Sequence, residues 1–119
     1  MNKYEVEEKL PSAVDIIERK KSQIDSSTRS KLSAFGATIV MSGLLPALAA
    51  YSKDENKIVV TLIEKMIGEH EGKLFGKVKA LYKDKEKEKE IEDDIINSVI
   101  ALKLALDAFD FDTEEITNE

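Results

Sequence analysis

The stretch from Leu32 to Ser52, LSAFGATIVMSGLLPALAAYS, contains no charged residue in a chain of which 35% is Asp, Glu, Lys or Arg. Its early apolar residues Leu32, Phe35 and Ile39 keep helical spacing on one face. From Ile39 onward, Val40, Met41, Leu44, Leu45, Leu48 and Tyr51 are spread around the whole circumference. A helix that is apolar all round is expected to be enclosed on all sides, so the pattern predicts a buried central helix around which the other elements are arranged. Pro46 lacks an N–H and crowds the preceding turn, and Gly43 eases a bend, so the run should kink or split between Ser42 and Leu45. The run also meets the minimum length of a bilayer span. It spends its positions on Gly36, Gly43, Pro46, Ser33, Thr38, Ser42 and alanines, however, where spans concentrate Leu, Ile, Phe and Val. No membrane partner is therefore expected.

Helical periodicity continues on both sides of this run. Pro11 to about Ile24 reads as a first helix, with Pro11 in its first turn and Leu10, Val14, Ile17 and Ile24 on one face; Asn2 to Lys9 add at most a short turn before it. Asp25-Ser26-Ser27-Thr28 has the composition of a capping loop, which starts the central helix near Thr28. Val59, Leu62, Ile63, Met66 and Ile67 form a regular stripe that Gly68 stops, and Leu74, Phe75, Val78, Leu81 and Tyr82 repeat the spacing in a fourth helix. The alternating Lys83 to Glu90 reads as a solvated extension or flexible link between the fourth and last helices. Ile91, Ile95, Val99, Leu102, Leu106 and Phe109 then make a coiled-coil-like seam, expected to pack on the central helix, with Leu44, Leu45 and Leu48 buried against Val99, Leu102 and Leu106. The expected fold is all-α, a single-domain bundle of about five helices over residues 1–111, followed by an acidic, disordered tail at 112–119.

Composition narrows the function. With no cysteine there are no disulfides or thiolate metal sites, and no basic-then-apolar leader opens the chain, so a cytoplasmic location is expected. His70, the one histidine, lacks a partner pattern, and acids such as Glu69 and Glu71 or Asp93 and Asp94 point to different helical faces. Neither a catalytic residue, a metal site nor a cofactor is expected. The net charge of −6 is unevenly distributed. From Pro11 to Lys31, Arg19, Lys20, Lys21, Arg29 and Lys31 outnumber Asp15, Glu18 and Asp25. Lys73 to Glu90 holds seven lysines against four acids, and Ile91 to the end holds Lys103 against nine acids. Such a dipolar chain can hold a polyanion on its basic side.

The run Ser42-Gly43-Leu44-Leu45-Pro46-Ala47-Leu48-Ala49, preceded by a helix start bearing Arg29 and Lys31, resembles the Asn-Gly-Leu-Leu-Gln-x-Leu-Ala core of the small helical subunit of type III-B CRISPR effectors, the Cmr complexes. Gly43, Leu44, Leu45, Leu48 and Ala49 match, while Ser42 and Pro46 replace the usual Asn and Gln. The order of helices is similar across most of the chain. The family's basic, Trp-containing C-terminal pattern is replaced by the acidic Ala105-Leu106-Asp107-Ala108-Phe109. The resemblance implies a non-catalytic subunit, present in adjacent copies beside other subunits of the effector, lining the channel where guide RNA pairs with target RNA. The small subunits of type I and type III-A complexes are similar in role. On this reading the expected phosphate contacts are Arg19, Lys20, Lys21, Arg29 and Lys31, with Lys73 and Lys77 as a second set, in a channel that reads backbone rather than bases. A helical adaptor that binds only protein is the alternative.

Overall fold

A computed structural model of the protein describes residues 2–109; the expected domain boundary between 111 and 112 and the acidic tail lie outside the described residues. The fold is an all-helical bundle, with no strand among the described residues. Its α-helices are α1 (Lys3–Arg19), α2 (Thr28–Ser42), α3 (Leu44–Ala50), α4 (Lys57–Ile67), α5 (Leu74–Ala80) and α6 (Lys85–Ala108), with short 3-10 turns at Lys21–Gln23 and Asp54–Asn56.

The first helix begins eight residues before Pro11, with Pro11 inside it. An interior proline forfeits one backbone hydrogen bond and costs about 3 kcal/mol, so the preceding turns need an anchor. Asn2 supplies a cap, its Oδ1 accepting from the N–H groups of Tyr4 at 3.0 Å and Glu5 at 3.2 Å. Buried Asn97 on α6 then clips that cap down: its Oδ1 accepts from the Asn2 N–H at 3.1 Å, and its Nδ2 donates to Glu5. The buried stripe of α1 is Val6, Ala13, Ile16 and Ile17, with Leu10 and Val14 flanking it.

The uncharged run is two helices. Gly43 ends α2 by donating its N–H to the Ile39 carbonyl at 2.9 Å. It sits at φ 97°, ψ 164°, a backbone conformation that an L side chain strains to adopt. Pro46 is the third residue of α3, where its missing N–H would have had no intrahelical partner in any case. The seven residues of α3 fold back onto α2, and the ring of Tyr51 meets Phe35 edge-on with centroids 5.1 Å apart. Leu44 and Leu48 are buried, whereas Leu45 is only half-buried, and α3 lies mainly against α2 and α5 rather than against the α6 seam.

The expectation that the uncharged run is enclosed all round does not hold: Val40 is 80% exposed and Met41 84% exposed, alongside exposed Ala34 and Ala37. The enclosed hub is α6, which packs most extensively on α1 and also on α2 and α4. Its buried residues Ile95, Asn97, Ser98, Val99, Ala101, Leu102, Ala105 and Leu106 cover more of its circumference than a two-position seam would. Of the two forms expected for Lys83 to Glu90, the solvated extension is the one found: from Lys85 onward it is the exposed start of α6 and not a flexible link. Asp84 caps α6 by accepting from the Lys87 N–H at 3.2 Å, and the helix runs on through the alternating charges, with Lys89 bridging to Asp93 at 3.1 Å and Glu92 at 3.6 Å. Lysine and glutamate are good helix formers, and a capped start continuous with a buried helix is enough to order them. Carboxylates beside Lys89, Asp93 foremost, raise its pKa.

Candidate nucleic-acid interface

The basic residues fall into separate environments. Arg19 and Lys20 close the C-terminal end of α1, where a shallow cavity of about 240 Å³ is lined by Ile16, Arg19, Lys20 and Lys65. Lysine and arginine there complement the negative end of the α1 dipole. Arg19 is exposed and donates weakly to the Asp15 carbonyl at 3.4 Å; Lys21, in the following turn, is exposed. Lys65 joins this patch from α4, a juxtaposition that no linear charge count reveals.

Arg29 and Lys31 are engaged elsewhere. The Arg29 guanidinium grips Asp107 with two contacts, Nε at 2.6 Å and an Nη at 3.3 Å, tying the start of α2 to the end of α6. Lys31 reaches the Glu55 carbonyl at 3.4 Å and borders a groove shared with Asp25, Asp54, Glu55 and Glu71. Asp25 accepts from the Ser27 hydroxyl and N–H, which together with Lys31 hold its carboxyl below the usual carboxylate range. The five residues from Arg19 to Lys31 are thus divided between an open patch at Arg19, Lys20 and Lys21, an ion pair at Arg29 and an acid-lined groove at Lys31.

Around α5 the lysines are more open. Lys73, Lys77, Lys79 and Lys83 are all exposed, and among the described residues only Lys77 of these four is in an ion pair, with Glu69 at 3.1 Å. Lys77 holds the Glu69 carboxyl below its ordinary pKa. A carboxyl depressed in this way contributes most above its unfolded pKa, and the contribution fades as pH falls through the folded value. Acidification therefore releases Lys77.

The element is positioned by a residue the sequence pattern does not single out. Glu64 of α4 is buried, and its two oxygens accept from the N–H groups of Gly72 and Leu74, each at 3.0 Å. Gly68 at φ 75° and Gly72 at φ 82° make the connecting loop, which Glu64 fixes to the bundle. The sequence signal was a carboxylate interrupting the apolar α4 stripe a few residues before a glycine-rich turn. Leu74 and Val78 bury the inner face of α5, while Phe75 and Tyr82, expected to extend that stripe, are exposed.

Acidic groups collect away from these patches. An open groove of about 650 Å³ between the N-terminal halves of α1 and α6 is lined by Glu5, Glu8, Glu90, Asp93 and Asp94, with Lys9 bridging to Asp94. Among the described residues no group of His, Asp and Glu side chains is arranged to hold a metal ion, and no helix is long and apolar enough to cross a membrane. His70 lies exposed in the α4–α5 loop. Compared with known proteins, the chain matches no family model, no curated protein and no solved structure.

Proposed function

We propose that this protein is a non-catalytic small subunit of an RNA-guided, RNA-targeting complex of the type III-B CRISPR class, contacting the backbone of guide and target RNA beside neighbouring subunits and further copies of itself. The observation that carries the reading is the Ser42-to-Ala49 motif. Its Gly43 takes the positive-φ position that breaks the helix, and its Leu44 and Leu48 anchor the fold-back of α3. These are structural roles, so the motif supports likeness of fold, and the RNA contact rests on the open cations. Arg19, Lys20 and Lys21 form the first such surface, with Lys65 beside it. Arg29 and Lys31 contribute there only by exchanging their present partners, and Lys73 and Lys77 belong to the α5 face.

Replacing Arg19, Lys20 and Lys21 together by Glu tests the reading. The substitutions are at or near the surface and should leave helicity intact. Each lost phosphate contact on a single strand removes about 0.7 from the slope of log affinity against log salt, so three should flatten it by about two units. The measurement is made on the isolated chain and on the assembled complex. Unchanged slope and affinity in both would remove these three residues from the interface. A protein-only adaptor is the second reading, favoured by the exposed Val40 and Met41; it predicts no salt-dependent RNA binding in either setting.

A further inference from the structure

The α5 face combines two features that backbone contact alone does not require. Between Lys73 and Lys85 the chain carries five lysines and one acid, Asp84; Lys77 pairs with Glu69 and Lys85 with Glu88, and among the described residues Lys73, Lys79 and Lys83 are in no ion pair. Two rings lie among them: Phe75 on α5 and Tyr82 in the turn that follows the helix, with Lys77 and Lys79 between them in the chain. Tyr82 is 54% exposed and Phe75 37% exposed, and neither belongs to the hydrophobic core, which takes Leu74 and Val78 from the same helix. Lys85 already holds its ammonium 5.0 Å from the centroid of the Tyr82 ring.

We propose that the segment from Lys73 to Lys85 is a stacking platform for unpaired RNA bases, with the exposed rings of Tyr82 and Phe75 each receiving a base and Lys73, Lys79 and Lys83 meeting phosphates. The platform deepens the RNA-contacting reading and rests on it, because it assigns a base-stacking role to a subunit otherwise expected to touch backbone only. An exposed ring among lysines fits a single strand and not a duplex, whose bases are already stacked and whose faces are unavailable. The charge balance selects a polyanion as the occupant. Any base offers a π-face, so the platform should be indifferent to sequence. Lys85 stays on the ring as a cation beneath the stack or moves to a phosphate; either arrangement adds to the attraction.

The test uses the full chain, single-stranded oligoadenylate of about 15 nucleotides, and an abasic backbone of the same length. Wild type should bind the base-bearing strand more tightly than the abasic one. Tyr82→Ala should weaken oligoadenylate binding by about 5- to 150-fold, the range for loss of one stacked base. It should leave abasic binding and the salt slope unchanged, whereas Lys79→Gln with Lys83→Gln should lower the slope by about 1.4. The chain has no tryptophan, so Tyr82→Trp installs a single reporter that preserves the platform; its fluorescence should be quenched by oligoadenylate and not by the abasic strand. Because Phe75 borders the core, Tyr82 carries the test and Phe75→Ala is scored only with helicity unchanged. Equal, salt-dependent affinity for the two strands, or an unquenched reporter on a strand that binds, overturns the platform while leaving backbone contact standing. Absence of salt-dependent binding to either strand overturns both.

Discussion

The uncharged run from Leu32 to Ser52 and the helix α6 differ in the opposite sense from what their compositions suggest. The run has no charge, yet α2 presents Val40 and Met41 to solvent, while α6 opens with alternating lysine and glutamate and goes on to bury eight residues. Burial follows geometry, not the absence of charge. Twenty-four residues in one unbroken element give α6 room for three neighbours, α1, α2 and α4. The uncharged run, broken at Gly43 between the 15-residue α2, which begins before it at Thr28, and the seven-residue α3, turns back on itself and covers its own Leu44 and Leu48 at the expense of its outer face.

The central place of α6 is most exposed to test at Leu102, which is fully buried on that helix. Leu102→Ala should cost about 2–5 kcal/mol, the range for a core leucine whose cavity does not collapse, measured by urea denaturation. A loss below about half a kcal/mol, typical of surface positions, would remove α6 from the centre of the bundle. The next effect is expected at Glu64. Glu64→Gln replaces one of two accepting oxygens by a donor facing the N–H of Gly72 or Leu74, and the orphaned group should cost about 1–3 kcal/mol. Hydrogen exchange should locate the loosening in residues 68–74, with α6 unaffected. Uniform destabilisation instead would show that the α4–α5 loop is not a separate unit.

Much of the helix pattern was legible in the sequence because it depends on local chemistry. α2 starts at Thr28 as expected, although its N-cap Ser27 makes no side-chain capping bond, Gly68 at positive φ stops α4, and Pro46 with Gly43 splits the uncharged run. The extension of α1 before Pro11 was not legible, since it depends on Asn97, 95 residues from Asn2 in the chain. The same is true of the candidate interface. Lysine positions are visible in sequence, but that Asp107 takes Arg29 and that Lys65 joins Arg19 and Lys20 are consequences of tertiary packing. Phe75 and Tyr82 fitted the apolar stripe by spacing alone; α5 is only seven residues long, and its buried face is filled by Leu74 and Val78.

The Arg29–Asp107 pair joins the start of α2 to the end of α6. A cation in the first turn of α2 and an acid in the last turn of α6 each oppose their own helix dipole, so the pair offsets two unfavourable charges at once. Both side chains are half exposed, and the pair should be worth about 0.2–1 kcal/mol, less at high salt. In a double-mutant cycle, Arg29→Ala with Asp107→Ala should be less destabilising than the sum of the single changes. Strict additivity would mean that the contact does not couple α2 to α6.

The smallest expected effect is the one that bears most directly on the uncharged run. Val40→Lys and Met41→Lys together should change stability by no more than about 0.5 kcal/mol, because both positions are open to water. Lysines in the last turn of α2 also complement its dipole, which contributes a few tenths of a kcal/mol in the favourable direction. A loss above about 2 kcal/mol, of the size seen when core positions are disturbed, would mean that this face is enclosed and that lack of charge did mark burial. Sedimentation of the double variant beside wild type separates enclosure within the chain from enclosure between molecules. If the wild type sediments as a larger species and the variant does not, the outer face of α2 is covered by another copy; equal sedimentation with unchanged stability leaves the face free, and assigns the missing charges of α2 to its inner contacts with α3 and α6.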